Sequence, residues 1–510
     1  MKPSRSLRAL FGVSVLGLVG VGSVARADLL YFRKGGDAQL PARIEGNRLI
    51  ISMPDGQVNL SRDCVRKLVS GFSPEADWPE RLRLVQSRDF DAKFAAAWWA
   101  LENGLTKEAG VLVRELHRLG PKHASTARMA SALDRLEQPC PDPDLTAFQK
   151  AIGIEVTVTR GPHVILLHQH SESEASERIA VLEKVITGFY LLFAADGIEL
   201  LAPRRRLVSA WFAEKKDFLA FLHAEQADAF ATTRGYFHPT WAAVVAFDAR
   251  STEEQRNARS KLAARREEVE RFDRQLEAAP ARARIRIELG GEPVRTVGRS
   301  EAKAAIARVE SEITCETMLL DLDRRSIDLG TAAHEMIHQL AAESGLVPRH
   351  DAFPAWLHEG LAAQFEVIRG GRWSGVSRAH DLRLPDWRKI QDPIPLERLV
   401  RDAGFGHGYQ RDLYAQAWAL VYYLRTWHSR EFLTFLDLLR GPDSGDPGSL
   451  ATGRGDRVFG AFQRAFGSDL VALERDWRAF MATVKTPLEQ NRPAEEKVPG
   501  AVGRGTGRKS

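Results

Sequence analysis

The feature that most constrains this chain is a pair of histidines four residues apart, in a run that favours a helix. Within residues 331–340, His334, Glu335 and His338 form an H-E-x-x-H pattern. Histidines four apart lie one helical turn above one another, so both imidazoles can bind one metal ion at about 2.0–2.1 Å. Glu335 is rotated by roughly 100° from His334, because a helix has about 3.6 residues per turn. The pattern therefore predicts that the two histidines bind a metal ion and that Glu335 takes a proton from its water.

The third metal ligand must come from elsewhere in the chain. The H-x-x-G-x-x-H continuation of the metzincin peptidases is excluded, because Ala341 and Ser344 occupy its last two defining positions. Downstream, residues 354–362 read Pro-Ala-Trp-Leu-His-Glu-Gly-Leu-Ala. This stretch resembles the gluzincin zinc peptidases, and specifically the W-L-N-E-G-x-A segment of the aminopeptidase N family. The resemblance implies zinc as the ion, Glu359 as its third ligand, and His358 in the place of the family's asparagine.

The resemblance extends over about residues 331–424, and more loosely from residue 153 onward. The chain is also similar to exported bacterial domains of the peptidase-MA-like group, which often follow tetratricopeptide-like helices. These resemblances imply a zinc metallopeptidase in which Glu335 is the general base. The sequence lacks the G-x-M-E-N motif, whose glutamate binds the amino terminus of the substrate in the aminopeptidases. An endopeptidase or a narrow peptide hydrolase is therefore favoured.

Two other functions stay open from the sequence. One is a non-catalytic, zinc-stabilised scaffold that binds envelope proteins or peptides, and the other is a zinc amidase acting on a non-peptide envelope substrate. Glu335 argues against the scaffold, because a structural zinc site needs ligands but no base. Nothing in the sequence separates a peptidase from an amidase.

Other residues near the two motifs are alternative metal ligands or could hold a ligand in place. His358 adjoins Glu359 and on a helix would point about 100° away, so a neighbouring or surface role fits it better than metal ligation. His350 lies in a proline-flanked loop and is the second rival ligand. Glu366 follows Glu359 by two helical turns on the same face. It either hydrogen-bonds a ligand histidine and fixes its tautomer, or is a surface glutamate.

Gluzincins also present a hydrogen-bond donor to the oxyanion, which is a tyrosine in the aminopeptidase N family. Residues 412–420 are similar to the Y-x-K-x-x-x-x-L stretch of that family, which makes Tyr414 the candidate catalytic donor. A phenol can stabilise the developing negative charge without changing its own ionisation. The alternatives are that Tyr414 packs in the core, or that His407 or Tyr409 is the donor.

The amino-terminal residues have the features of a secretory signal. Basic residues precede an apolar run over residues 9–24, and Ala25 and Ala27 place small side chains at the −3 and −1 positions of a cleavage site. The run is short against the roughly 20 apolar residues that span a bilayer, and no later stretch qualifies. We therefore expect a signal peptide over residues 1–27 and an exported protein, periplasmic or extracellular. An uncleaved membrane anchor is the alternative.

The composition says little about what the protein binds. The chain has 72 basic and 67 acidic side chains, a formal net charge of +5, and part of that excess lies at its two ends. Nucleic-acid binding needs basic residues clustered on one folded surface, so none is expected. Cys64, Cys140 and Cys315 lie far apart, which leaves open one disulfide bridge or three buried thiols.

The pattern changes along the chain and predicts an α+β, predominantly helical fold. The expected segments are a small β module (28–75, SH3-like or a meander), tetratricopeptide-like helical hairpins (76–138), a linker (139–152), the peptidase domain (153–485) and a disordered tail (486–510). A charged helical hairpin is inserted at about 252–322. This arm and the helices of 76–138 are candidate surfaces for a protein partner, with a purely structural role as the alternative.

Within the peptidase domain, β-branched and apolar runs predict strands near residues 156–159, 164–167, 207–212 and 242–247. One helix is expected over residues 173–193. The second arm helix is expected to end near Leu322, before a separate helix that carries the H-E-x-x-H motif. His168 and His170 end a predicted strand and could bind a metal adventitiously, although an exposed strand end is the simpler interpretation.

Overall fold

The structure is a computed structural model that confirms an α+β, mostly helical fold, with an amino-terminal antiparallel sheet, a mixed sheet and long helices. The chain forms two compact units, residues 1–77 and 78–510. The residues that the structure describes are 27–33, 36–53, 56–69, 73–85, 89–289, 294–347, 353–402, 404–405, 410–441 and 454–490. The predicted signal peptide lies outside the described residues, apart from Ala27.

The amino-terminal unit is a five-stranded antiparallel sheet in the order β4-β3-β2-β1-β5. Leu29, Leu49, Ile51 and Leu60 are buried in it. The strands are β1 (Ala27–Phe32), β2 (Asp37–Glu45), β3 (Arg48–Met53), β4 (Gly56–Ser61) and β5 (Val65–Val69), followed by helix α1 (Pro74–Arg83).

The next helices are α2 (Phe90–Glu102), α3 (Thr106–Leu119), α4 (Ala124–Leu136) and α5 (Thr146–Ile152). The first two form a hairpin whose turn uses Gly104 at φ +72°. Leu101 and Val113 lie in the same hydrophobic core as the helices of the metal centre, so these hairpins are not a unit of their own. The segment expected as a linker contains α5, because Phe148 and Ile152 are buried against the mixed sheet.

The mixed sheet has the order β6-β7-β8-β10-β9, with its three central strands parallel and antiparallel strands at both edges. Every residue of β7, β8 and β10 is buried, since helices cover both faces. The sequence predicts all of these strands except β9, a four-residue edge strand without apolar alternation. The elements are β6 (Thr157–Arg160), β7 (Val164–His168), α6 (Glu172–Asp196), β8 (Leu207–Phe212), α7 (Lys215–Ala224), β9 (Gly235–His238) and β10 (Ala243–Phe247).

The charged hairpin consists of α8 (Glu253–Ala278), a short ribbon of β11 (Ile285–Ile287) and β12 (Arg295–Val297), and α9 (Arg299–Glu343). The prediction of a helix end near Leu322 is wrong. Helix α9 runs unbroken for 45 residues and carries the H-E-x-x-H motif in the same helix as the arm. Residues 323–330 contain no proline, and Gly330 stands where a Cβ would lie 3.1 Å from the carbonyl oxygen of Glu366. A close contact, and not a helix end, explains this glycine.

The carboxyl-terminal half packs around the buried side chains of Trp356, Trp418 and Trp477. Helix α17 lies inside the stretch predicted as a disordered tail, because Thr486 and Glu489 cap it reciprocally. No helix among the described residues is both apolar and long enough to cross a bilayer. The elements are α10 (Ala355–Ala362), β13 (Ile368–Arg369), β14 (Arg372–Trp373), α11 (Arg383–Lys389), α12 (Leu396–Val400), α13 (Arg411–Trp427), α14 (Ser429–Arg440), α15 (Arg454–Phe466), α16 (Leu470–Thr483) and α17 (Pro487–Gln490).

Helix α10 packs so closely against α13 that there is no room for a side chain at position 360. A Cβ on Gly360 would lie 2.5 Å from the carbonyl oxygen of Ala417 and 2.6 Å from Val421. The glycine of the W-L-x-E-G segment therefore has a packing reason. It lets the helix that carries Glu359 seat against α13.

We expect Gly360→Ala to lower the free energy of unfolding by about 1–3 kcal/mol, because the added methyl group overlaps backbone that cannot easily move. The matched control is Gly460→Ala in α15, where nothing lies within 4 Å of the added Cβ. That change should raise the free energy of unfolding by up to about 1 kcal/mol through helix propensity. Denaturant unfolding of both variants measures the difference. Equal effects from the two substitutions would contradict the close packing.

Candidate metal centre

The side chains of His334 and His338 on α9 meet Glu359 on α10. His334 Nε2 lies 3.0 Å from Glu359 Oε2 and 3.2 Å from His338 Nε2, and His338 Nε2 lies 3.8 Å from Glu359 Oε1. Their potential ligand atoms all lie within 4.8 Å of one another, which makes this a group that could hold a metal ion. The three residues predicted as metal ligands are thus brought together.

The spacing of this group fits a small divalent ion. Two ligand atoms about 2.05 Å from a tetrahedral ion lie about 3.3 Å apart, close to the three separations given above. Two imidazole nitrogens and one carboxylate oxygen also form a donor set that leaves a fourth position for water, as catalytic zinc sites do. The geometry and the donor chemistry agree.

Glu366 determines which nitrogen of His334 faces the candidate metal position between His338 and Glu359. His334 Nδ1 lies 2.7 Å from Glu366 Oε2. Because an ionised carboxylate only accepts hydrogen bonds, Nδ1 donates its proton to Glu366, which leaves Nε2 as the nitrogen that faces Glu359 and His338 and would bind a metal ion. The hydrogen bond that the sequence left as one of two alternatives for Glu366 is therefore present.

Two residues that the sequence did not single out hold Glu366 in turn. His380 Nε2 and Arg383 Nε each donate to Glu366 Oε1 at 2.8 Å. His380 Nδ1 accepts from the backbone N–H of Leu382 at 3.0 Å, so the ring proton must be on Nε2. Burial alone would raise the pKa of Glu366, but the charge of Arg383 and the bonds from His334 and His380 hold it well below its usual range. Glu366 is thus kept as a carboxylate.

Glu335 is the one buried carboxylate of the site that has no hydrogen bond or ion pair among the described residues. Its side chain follows His334 on the same helix, and only 8% of the residue is exposed. Burial raises the pKa of Glu335, while the neighbouring His334 and His338 oppose part of that rise. A carboxylate in this position can take a proton from a molecule bound at the centre.

Tyr414 lies beside the centre, as expected for the candidate oxyanion donor. Its ring centroid is 6.5 Å from that of His334, and the guanidinium carbon of Arg383 is 5.5 Å from the Tyr414 ring. His358 packs with its ring 5.7 Å from Phe353 and is not part of the convergent group. The other rivals, His350, His407 and Tyr409, lie outside the described residues.

The edge strand β9 runs along α9 beside the motif. A Cβ on Gly235 would lie 3.1 Å from Thr331 Cγ2, and past the strand Gln339 Nε2 donates to the Ala242 carbonyl oxygen at 2.7 Å. Thr331 and Gln339 bracket the H-E-x-x-H residues in α9. No described strand pairs with the other edge of β9.

The expectation that His168 and His170 form an exposed strand end is wrong. His168 is fully buried and hydrogen-bonded to Thr159 Oγ1 at 2.9 Å, and the side chain of His170 is only 1% exposed. Both side chains are enclosed by charged residues that gather at the carboxyl ends of the parallel strands. There, Asp248 lies 3.5 Å from His170 Nε2, among buried arginines such as Arg178. Neither histidine belongs to the group that could hold a metal ion.

Comparison with known proteins adds a family match without an assigned activity. A family model described as "Protein of unknown function (DUF1570)" matches residues 328–441, about a fifth of the chain. The match begins in α9 just before His334 and ends at the end of α14, so it contains His334, Glu335, His338, Glu359, Glu366, His380, Arg383 and Tyr414. No curated protein and no solved structure gives a significant match. The matched part of the chain therefore includes the candidate metal centre and the residues that support it.

Proposed function

We propose that the protein is an exported zinc-dependent peptidase of the gluzincin type. The observation that carries this proposal is the pairing of a His-His-Glu group with Glu335, a buried carboxylate that has no protein partner among the described residues. A structural zinc site gains nothing from an unpaired buried carboxylate, which is costly to keep. A hydrolytic site needs such a group as its base.

Each residue then has a distinct task. Zinc held by His334, His338 and Glu359 would supply Lewis-acid chemistry and lower the pKa of a water at the open position. Glu335 accepts the proton of that water and later donates it to the leaving amine. Tyr414 donates a hydrogen bond from its phenol to the oxyanion that forms at the scissile carbonyl. Glu366 holds the tautomer of His334.

The proposed substrate is a peptide in extended form. The unpaired edge of β9 offers backbone N–H and C=O groups beside the motif, and these recognise another extended backbone irrespective of its side chains. Such recognition favours a peptide over an isolated amide. The sequence has no residue pattern for holding a substrate's amino terminus, so we propose cleavage within a chain. Export follows from the amino-terminal signal pattern.

The three ligand residues can be tested one at a time. We expect the protein to bind about one zinc per chain, and His334→Ala, His338→Ala and Glu359→Ala each to lose stoichiometric binding, since three protein ligands are needed. Metal analysis after dialysis measures this. His358→Ala is the matched control, because it adjoins Glu359 but lies outside the group, and it should keep its zinc. Full zinc content in Glu359→Ala would refute the gluzincin ligand set.

Another prediction concerns the support of His334. Glu366→Gln should weaken zinc affinity by about 10–100-fold, because a neutral amide no longer fixes the ligand tautomer or raises its basicity. Competition with a chelator measures the affinity. Glu343→Gln is the control, since this half-buried glutamate of α9 has no hydrogen bond or ion pair among the described residues. Wild-type affinity in Glu366→Gln would show that the hydrogen bond does not tune the centre.

The next prediction separates an enzyme from a scaffold. Glu335→Gln keeps size and burial, so zinc content and melting temperature should stay near wild type while hydrolysis falls by about 10²–10⁴-fold. Tyr414→Phe should lower hydrolysis by about 10²–10³-fold. Cleavage of a proteome-derived peptide library, quantified by mass spectrometry, provides the assay. Hydrolysis that depends on zinc but is unchanged in Glu335→Gln would refute the proposed role of the base.

A further inference from the structure

The arm formed by α8 and the first part of α9 is a stiff rod with its own core. Val269 and Leu276 of α8 pack against Ile306, Val309 and Ile313 of α9. From Arg299 to Leu322, α9 alone spans 24 residues, or about 36 Å at 1.5 Å per residue. Its outer end is therefore held well away from the mixed sheet. An arm of this kind holds the residues at its tip at a fixed distance from the mixed sheet.

The first strand of the tip has strictly alternating faces. Residues 285, 287 and 289 pack toward the core of the arm, and Ile287 and Leu289 are only 3% and 2% exposed. Arg286 lies in β11, Arg284 directly precedes the strand and Arg282 lies in the turn that follows α8, and all three side chains are exposed. The three guanidinium groups therefore lie within five residues of one another at the outer end of the arm.

Several arginines along the shaft of the arm, unlike these three, are used in ion pairs between its two helices. Arg259 pairs with Asp321 at 2.7 Å, and Arg265 pairs with Glu316 at 2.6 Å. In contrast, Arg282, Arg284 and Arg286 form no ion pair with any carboxylate among the described residues, and Arg284 donates only to the carbonyl oxygen of Thr296. Their positive charges are therefore not used to stabilise the arm.

The other residues on the outward face of the tip have small side chains, and some of these are apolar. Thr296 lies beside Arg286 in the register of the ribbon, and the side chain of Val294 is 46% exposed. Glu288 is the one carboxylate on this face within the described residues. Three exposed cations close to an exposed valine match an interface that is anionic at its surface and apolar just beneath.

We propose that this tip binds the surface of an anionic phospholipid bilayer. Guanidinium groups donate paired hydrogen bonds to phosphate oxygens, and a group of three that has no carboxylate partners gains most from a dense layer of phosphates. Each basic side chain near an anionic membrane adds roughly a fivefold factor to binding. Three of them give an attraction that is weak enough to be reversible and strong enough to be measured. The inference does not depend on the metal centre.

The test is sedimentation of the full chain with phosphatidylglycerol-containing vesicles and with pure phosphatidylcholine vesicles. The wild type should partition more strongly onto the anionic vesicles, and this difference should shrink at high salt. Arg282→Gln/Arg284→Gln/Arg286→Gln should lower the anionic-specific partitioning by about 10²-fold. The matched control is Arg266→Gln/Arg271→Gln/Arg274→Gln, which removes three exposed arginines from α8 and should leave partitioning near wild type.

A second variant keeps the outcome decisive if the triple change disturbs the ribbon. Arg282→Gln/Arg286→Gln spares the bond from Arg284 to Thr296 and should reduce partitioning by about 20–30-fold, with an unchanged melting temperature. The proposal is overturned if wild type shows no preference for anionic vesicles, or if the tip and shaft variants lose the preference equally. It is also overturned if the tip variants lose affinity only for nucleic acid or an acidic protein.

Discussion

Glu359 and His334 are 25 residues apart in the sequence, yet their Oε2 and Nε2 atoms are 3.0 Å apart, and the metal centre depends on this approach. The approach requires α10 to be fixed against α9 and α13 simultaneously. Gly360 removes the side chain that would separate α10 from α13. Asp402 fixes the other end, because its carboxylate accepts from the backbone N–H groups of Ala355 and Trp356 at the start of α10. The ligand glutamate is thus held by backbone contacts on both sides.

Charge explains why such a centre is suited to a divalent cation. Glu335 is buried, Glu359 and Glu366 are half-buried, and Arg383 supplies one compensating positive charge. With all three carboxylates ionised and the histidines neutral, as metal binding requires, two negative charges are left over, which a divalent ion would balance. Burial alone would lower the pKa of His334, but its bonds to Glu359 and Glu366 raise it well above the ordinary value. The site therefore favours positive charge at the point where the three ligand atoms meet.

The sequence was informative where chemistry and spacing are local. The H-E-x-x-H helix and the strands over 164–168 and 207–212 follow from motif and periodicity. The partnership of Glu359 with the histidines follows from the resemblance of residues 354–362 to the gluzincin segment. It failed where tertiary contacts decide. The continuity of α9 and the edge strand β9 depend on neighbours that no local pattern encodes.

The same limit explains what was missed at the site itself. His380 and Arg383 lie outside both motifs, and only the folded chain brings them to Glu366. His168 and His170 show the converse. Their strand was predicted correctly, but the buried charges that surround its end come from α6, β10 and α9. Alternation along a strand identifies faces, and it carries no information about what covers the strand's end.

The central claim is that one ion is held by His334, His338 and Glu359 while Glu335 remains uncoordinated. Anomalous diffraction at the zinc edge from crystals of the wild-type protein tests it most directly. The predicted result is a single strong peak about 2.0–2.2 Å from His334 Nε2, His338 Nε2 and one Glu359 oxygen, with the Glu335 carboxylate outside bonding distance. A peak elsewhere, or a peak with Glu335 as a ligand in place of Glu359, would contradict this account of the site.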